Sequence, residues 1–328
     1  MRRRTHSLVD MLALPLAVGG SLLLAAGFVR RMLRRTKIFN PSPDPERGWD
    51  PIAYGIPAGA CEEHWIDTPD GERLLAWYCR AEHPVASALF CHGNRGNLTV
   101  SADVVPHLLA ANLNVLIFDY RGYGKSSGVP SYEGVLDDGV TAARFHDSIR
   151  PAALPSILYG YSLGGGVAGQ IVRRHRFDGL ILQSTFTNLT AMARLRHPRV
   201  PLHLLAGNLF DTLDSVRKLK IPLLLIHGSA DESVPVSMAH DLFRAARTDK
   251  RLHIVEGGMH GDLFMRDSAT LIPLIARFLA ELPQVTRPIP LERPSKLDES
   301  IDAVLRLVRR TLRRAADKKP GVIASAPR

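Results

Sequence analysis

The chain has 328 residues, 45% of them hydrophobic and 23% charged, which is ordinary for a globular protein and long enough to bury a sizeable core. Its net charge of +10 sits at the two ends: residues 1–37 carry +7, residues 284–328 carry +6, and residues 38–283 are left at −3. A slightly acidic body argues against a nucleic-acid-binding surface, whereas basic ends suit anionic lipid headgroups. The three cysteines, Cys61, Cys79 and Cys91, lack metal-ligand spacing and form no disulfide framework, so they read as reduced, small apolar residues.

Met11 to Val29 runs MLALPLAVGGSLLLAAGFV without a charge. As a helix it would be roughly 28 Å long, close to a hydrocarbon core of about 30 Å. Arg2, Arg3 and Arg4 precede it, and Arg30, Arg31, Arg34, Arg35 and Lys37 follow. Leu24-Ala25-Ala26 is a poor cleavage site, so the segment reads as an uncleaved, single-pass transmembrane helix rather than a signal peptide. Positive-inside counting places the body on the cytoplasmic side. Residues 1–37 are thus expected to be a membrane anchor with basic flanks, and residues 38–59, with Asn40-Pro-Ser-Pro-Asp-Pro45, a stiff extended linker.

Residues 60–283 alternate short apolar runs with amphipathic stretches. Glu62–Asp67 and Arg73–Arg80, joined by Thr68-Pro-Asp-Gly71, read as a hairpin. Ala88–Cys91, Asn114–Asp119, Ser156–Tyr161, Gly179–Gln183, Pro222–Ile226 and Leu252–Val255 read as buried strands. Helical patterns occupy residues 101–111, 132–147, 163–175, 237–247 and 269–282. This alternation predicts an α/β fold with a mostly parallel central sheet, helices on both faces and an antiparallel edge. Residues 185–216 break the rhythm and read as a small helical insertion, a candidate cap, or as one ordinary crossover helix. In the tail, 284–328, Leu297, Ile301, Val304, Leu305, Val308 and Leu312 form an apolar stripe among arginines. That is a basic amphipathic helix, suited either to a membrane surface or to docking on its own domain.

The chemistry centres on Gly160-Tyr-Ser-Leu-Gly164, followed by Gly165 and Gly166. An apolar strand precedes this G-x-S-x-G and a helix pattern follows it, the setting that makes Ser162 a candidate nucleophile. A serine hydroxyl needs a base. Among thirteen histidines, His260 in Glu256-Gly-Gly-Met-His-Gly261 follows the last strand and lies at the carboxyl edge of the sheet, while His227 at a strand end suits a structural role. Asp231 in Gly228-Ser-Ala-Asp-Glu-Ser-Val-Pro235 is the candidate acid, with Glu232 and Asp262 as neighbouring alternatives. Backbone N–H groups of Leu163 and Asn94 are the candidate oxyanion donors. Gly122-Tyr-Gly-Lys-Ser126 is too short for a phosphate loop, and no H-E-x-x-H or C-x-x-C is present, so neither a cofactor nor a metal is implied.

Taken together, HGNRGN (92–97), FDYRGYGKSSG (118–128), GYSLGG (160–165), HGSADESVP (227–235) and GGMHGD (257–262) resemble a branch of the α/β-hydrolases. The branch comprises membrane-anchored hydrolases related to the yeast bud-emergence suppressor family and the α/β-hydrolase-domain depalmitoylases. The match covers roughly residues 60–282. The resemblance implies the α/β-hydrolase fold, Ser162 as nucleophile, Asp231 as acid, His260 as base, and Asn94 and Leu163 at the oxyanion hole. It also implies a serine esterase, thioesterase or lipase-like activity on a small acyl or lipid-like substrate at a lipid membrane. The mammalian depalmitoylases carry an N-terminal cysteine cluster, and this chain has no cysteine before Cys61. A serine peptidase acting on short peptides and a non-catalytic membrane scaffold are the alternatives.

Overall fold

The computed structural model describes residues 39–196 and 209–283. The apolar stretch 11–29 and the tail 284–328, with the helices expected there, lie outside the described residues. No helix among the described residues is long and apolar enough to cross a membrane.

Among the described residues ten strands form: β1 (Asn40–Pro41), β2 (Cys61–Asp67), β3 (Arg73–Cys79), β4 (Ala86–Cys91), β5 (Arg95–Gly96), β6 (Leu113–Phe118), β7 (Ser156–Tyr161), β8 (Gly179–Gln183), β9 (Leu223–Gly228) and β10 (Lys250–Val255). Eight of them make one sheet in the order β10-β9-β8-β7-β4-β6-β3-β2. From β6 to β10 the neighbours are parallel, while β3 pairs antiparallel with both β6 and β2. The hairpin β2–β3 therefore supplies the antiparallel edge its turn sequence predicts.

Successive side chains of a strand serve opposite faces, and here both faces are covered. In β4, Leu89 and Cys91 join one core and Ala88 and Phe90 the other. The first core packs α2 (Tyr132–Ile149), α3 (Leu163–Ile171) and α6 (Val236–Ala245) against the sheet. The second packs α1 (Val105–Ala110) and α7 (Leu263–Ala280). The helix expected at 101–111 is a 3-10 segment over Leu98–Val104 running into α1, because Asn97 caps the turn at Thr99 N. Helix α7 begins earlier than the expected 269, and its backbone breaks at Asp267.

The described parts of 185–216 hold α4 (Leu189–Arg196), and α5 (Thr212–Arg217) begins at its end. The two flanks are tied together, since Leu189 N–H donates to Leu209 O (3.0 Å) and Leu213 N–H to Thr187 O (2.9 Å).

Two features depart from the sequence-based picture. The expectation of reduced thiols fails for Cys61 and Cys79, which form a disulfide. They stand directly opposite in the β2–β3 register, with Cα atoms 4.0 Å apart. Cys91 alone is free; burial pushes its thiol up to about 12. The stretch expected as an extended spacer is also pinned to the body. Strand β1 pairs parallel with β5, Ser42 N–H donates to Gly96 O (2.8 Å), and Asn97 Nδ2 donates to Ser42 O (3.1 Å) and Asp44 O (2.8 Å).

Candidate active site

Strand β4 is where the strand order reverses: the chain passes from β4 to β6 on one side and then to β7 on the other. In an open α/β sheet the crevice at the carboxyl ends beside such a reversal is the usual ligand site. Here Cys91 of β4 stands level with Gly160 of β7, so His92–Asn94 and Tyr161–Ser162 leave the sheet side by side. A methyl placed on Gly93 would lie 3.6 Å from Ser162 Cβ.

Ser162 has φ 54° and ψ −116°, a conformation rare for a residue with a side chain. Three hydrogen bonds hold it there. Its N–H donates to Gln183 O (3.0 Å), and its carbonyl accepts from Gly165 N–H (3.0 Å) and from the Thr185 hydroxyl (2.8 Å). The turn also needs close approach. A side chain at Gly160 would meet Gly165 Cα at 2.6 Å, and one at Gly164 would collide with the Cys91 carbonyl. Helix α3 can therefore start directly above β4, with its first amide, Leu163 N–H, at the crevice.

Strands β9 and β10 deliver the other two residues. His260 Nε2 lies 2.9 Å from Ser162 Oγ, and His260 Nδ1 lies 2.8 Å from Asp231 Oδ2. The Asp231 side chain is buried. Its Oδ1 accepts the N–H groups of Ser233 and Val234, both at 2.8 Å, so the loop itself orients the carboxylate. Burial alone would raise its pKa. Hydrogen bonds from His227, His260 and the Val234 amide outweigh that and hold it well below the usual carboxylate range. Of the alternatives, Glu232 is exposed, and Asp262 is occupied by Met259 N–H and Arg266. Tyr161 packs its ring 5.4 Å from the His260 ring, and burial pushes its phenol up to about 12, so it stays neutral.

Asn94 does not offer its side-chain oxygen to the crevice. That oxygen accepts Asn40 N–H at 3.2 Å and lies 3.1 Å from the Tyr123 hydroxyl, which is also 3.0 Å from the Asn94 carbonyl. Tyr120 donates to His92 O (3.1 Å). The loop after β4 is thus braced by β1 and by the glycine-rich stretch after β6.

Sequence reasoning underrates His227. Its Nε2 lies 2.8 Å from Val234 O, so it carries the proton, and the same N–H faces Asp231 Oδ2 at 3.3 Å. The i, i+4 spacing of His227 and Asp231 across a strand-end turn was the available signal. Asn40 and Tyr123 gave none, because their role depends on contacts between distant segments.

A mostly parallel sheet with a strained serine at a strand-to-helix turn, beside a histidine and a buried carboxylate, defines a hydrolase of the α/β-hydrolase superfamily. Within it the chain belongs to the serine aminopeptidase, S33 family (Hydrolase_4), which matches residues 82–213 and 205–267. It is 31% identical over 253 residues to an uncharacterized protein of Mycobacterium tuberculosis, covering 76% of this chain and 88% of that one. It is 32% identical over 203 residues to protein bem46 of Schizosaccharomyces pombe, covering 59% of this chain and 67% of that one. Among solved structures, a Pyrococcus furiosus esterase superposes with a TM-score of 0.61 at 20% identity, over 75% of this chain and 98% of that one, a likeness of fold.

Proposed function

We propose that this chain is a serine hydrolase that cleaves carboxylic ester or thioester bonds of an amphiphilic acyl substrate. The observation that carries this reading is the position of His260, within hydrogen-bond reach of both Ser162 Oγ (2.9 Å) and Asp231 Oδ2 (2.8 Å). Ser162 Oγ attacks the acyl carbonyl while His260 Nε2 takes its proton. Asp231, kept ionised, holds the Nδ1–H tautomer and stabilises the imidazolium. The amides of Leu163 and Asn94 receive the developing oxyanion, usually the largest electrostatic contribution. His260 returns the proton to the departing alcohol or thiol. Water, activated by the same histidine, then releases the acid from Ser162.

A fluorophosphonate probe tests the reading directly. The wild type is expected to label and Ser162→Ala to stay unlabelled; an unlabelled wild type, or equal labelling of both, would sink it.

The family's description gives the peptidase reading its support. An aminopeptidase needs a free carboxylate for the substrate's ammonium group. The insertion 185–216 holds only two acids, Asp211 and Asp214. Asp211 caps α5 at Asp214 N, and Asp214 pairs with Arg173 and Lys218, which favours esters over peptides. Faster turnover of aminoacyl nitroanilides than of p-nitrophenyl acyl esters would reverse that order.

We further propose that residues 11–29 anchor the chain in a membrane. For orientation the charge count is nearly balanced, five cationic side chains after the segment against three plus the amino terminus before it. The Cys61–Cys79 disulfide supports the oxidising side for the body, in place of the cytoplasmic side. Cells treated with a membrane-impermeant protease would lose the body if this is correct and keep it if the body is cytoplasmic.

A further inference from the structure

The parallel strands β4, β6, β7, β8, β9 and β10 all end at one edge of the sheet, and Ser162, Asp231 and His260 lie on the loops that leave it. The N-terminal segment joins the body at this same edge. Phe39 is buried against Phe210, Asn40–Pro41 pair with Arg95–Gly96 in the loop after β4, and Gly124 N–H, in the loop after β6, donates to Ser42 O (3.1 Å). Between Val29, the last residue of the uncharged stretch, and Phe39 there are nine residues. Fully extended they span at most about 30 Å. They include Arg30, Arg31, Arg34, Arg35 and Lys37, matched in charge to anionic headgroups.

The apolar surface is biased in the same direction. Eight large hydrophobic side chains are exposed among the described residues, and five of them, Val100, Val129, Leu195, Met259 and Met265, lie in segments that follow the carboxyl ends of strands. Met265, in the first turn of α7, is 81% exposed, and Val129 is 69% exposed. Singly such residues are unremarkable. On the edge that a short basic tether enters, they are where a bilayer would rest. Val85, just before β4, marks the opposite edge.

We infer that the carboxyl edge of the sheet is a bilayer-docking surface, so that the mouth of the site opens onto the lipid headgroups and takes its acyl substrate from the membrane. The inference rests on the proposed anchor and deepens it. A tether fixed at the opposite edge would have let the site face the aqueous phase.

The full chain, reconstituted in vesicles of phosphatidylcholine and phosphatidylglycerol, allows a direct test. With Cys61 and Cys79 bonded and Cys91 buried, an introduced cysteine is the only reactive thiol among the described residues. Met265→Cys, Val129→Cys and Val85→Cys each carry an environment-sensitive fluorophore, and a lipid spin-labelled near its headgroup serves as quencher. Quenching is expected to be about threefold stronger at positions 265 and 129 than at 85. Equal quenching at all three positions, or stronger quenching at 85, in a chain that resists carbonate extraction would overturn the docking surface and leave the anchor standing. Release of the chain by carbonate would overturn the anchor, and the docking surface with it.

Discussion

Ser162 holds a backbone conformation that costs a residue with a side chain on the order of 1–3 kcal/mol, repaid here by Gln183, Gly165 and Thr185. The sequence points to Ser162, Asp231 and His260 as candidates because each follows an apolar strand at a recognisable turn, and the structure brings the three within hydrogen-bond reach. What the turns did not reveal was how Asp231 is held. Its depressed pKa means that the carboxylate stabilises the fold above its unfolded-state value, a contribution lost as pH falls through the folded one. His227 is one source of that depression. In His227→Leu the donor is gone, so Asp231 protonates at higher pH. The expected result is an acid limb of the kcat/KM profile displaced to higher pH, with little change near neutrality, where the carboxylate stays ionised in both forms. His227→Gln, which keeps a donor, should reverse part of the displacement. A uniform loss at every pH would show His227 to be purely structural.

Among the elements, the loop after β6 is tied to α2 and to the β2–β3 turn by one arginine. Arg121 Nε and Nη2 donate to Asp138 Oδ1 at 2.9 and 2.7 Å, and its Nη1 donates to Asp70 Oδ2 at 2.9 Å. Asp138 is buried, so Asp138→Asn leaves the guanidinium short of its main partner. The expected cost is about 3–5 kcal/mol, seen as a lower thermal midpoint while the folded fraction still reacts with the fluorophosphonate. The strands were legible because parallel strands covered on both faces are unbroken apolar runs, as LNVLIF at 113–118 is. Element ends were less so. The start of α7 at Leu263 is hidden in the sequence, since its first turn combines buried Leu263 and Phe264 with exposed Met265 and no side-chain cap.

At the scale of the whole molecule, the disulfide and the N-terminal strand hold opposite edges of the sheet. Cys61 and Cys79 close a loop at a sequence separation of 18, at the far end of the hairpin from its turn. Closing a loop of that size is worth about 3 kcal/mol. Reduction, or Cys61→Ala with Cys79→Ala, is therefore expected to lower stability to denaturant by about that much while the site, at the other edge, keeps its reactivity. An unchanged denaturation midpoint would remove the disulfide's stabilising role. The pairing escaped a reading by composition because it depends on the hairpin register, which puts the two cysteines level only once the turn at Thr68–Gly71 is placed. The β1–β5 pair has a different consequence, for proteolysis. With residues 11–29 as the anchor proposed above, a cut before Phe39 would shed the body with its loop after β4 still braced. A cut after Asp44 would also release it, but with Asn40 and Ser42 left behind on the stump. Where a protease nicks this short stretch would then decide whether the loop that carries Asn94 leaves with its braces or without them.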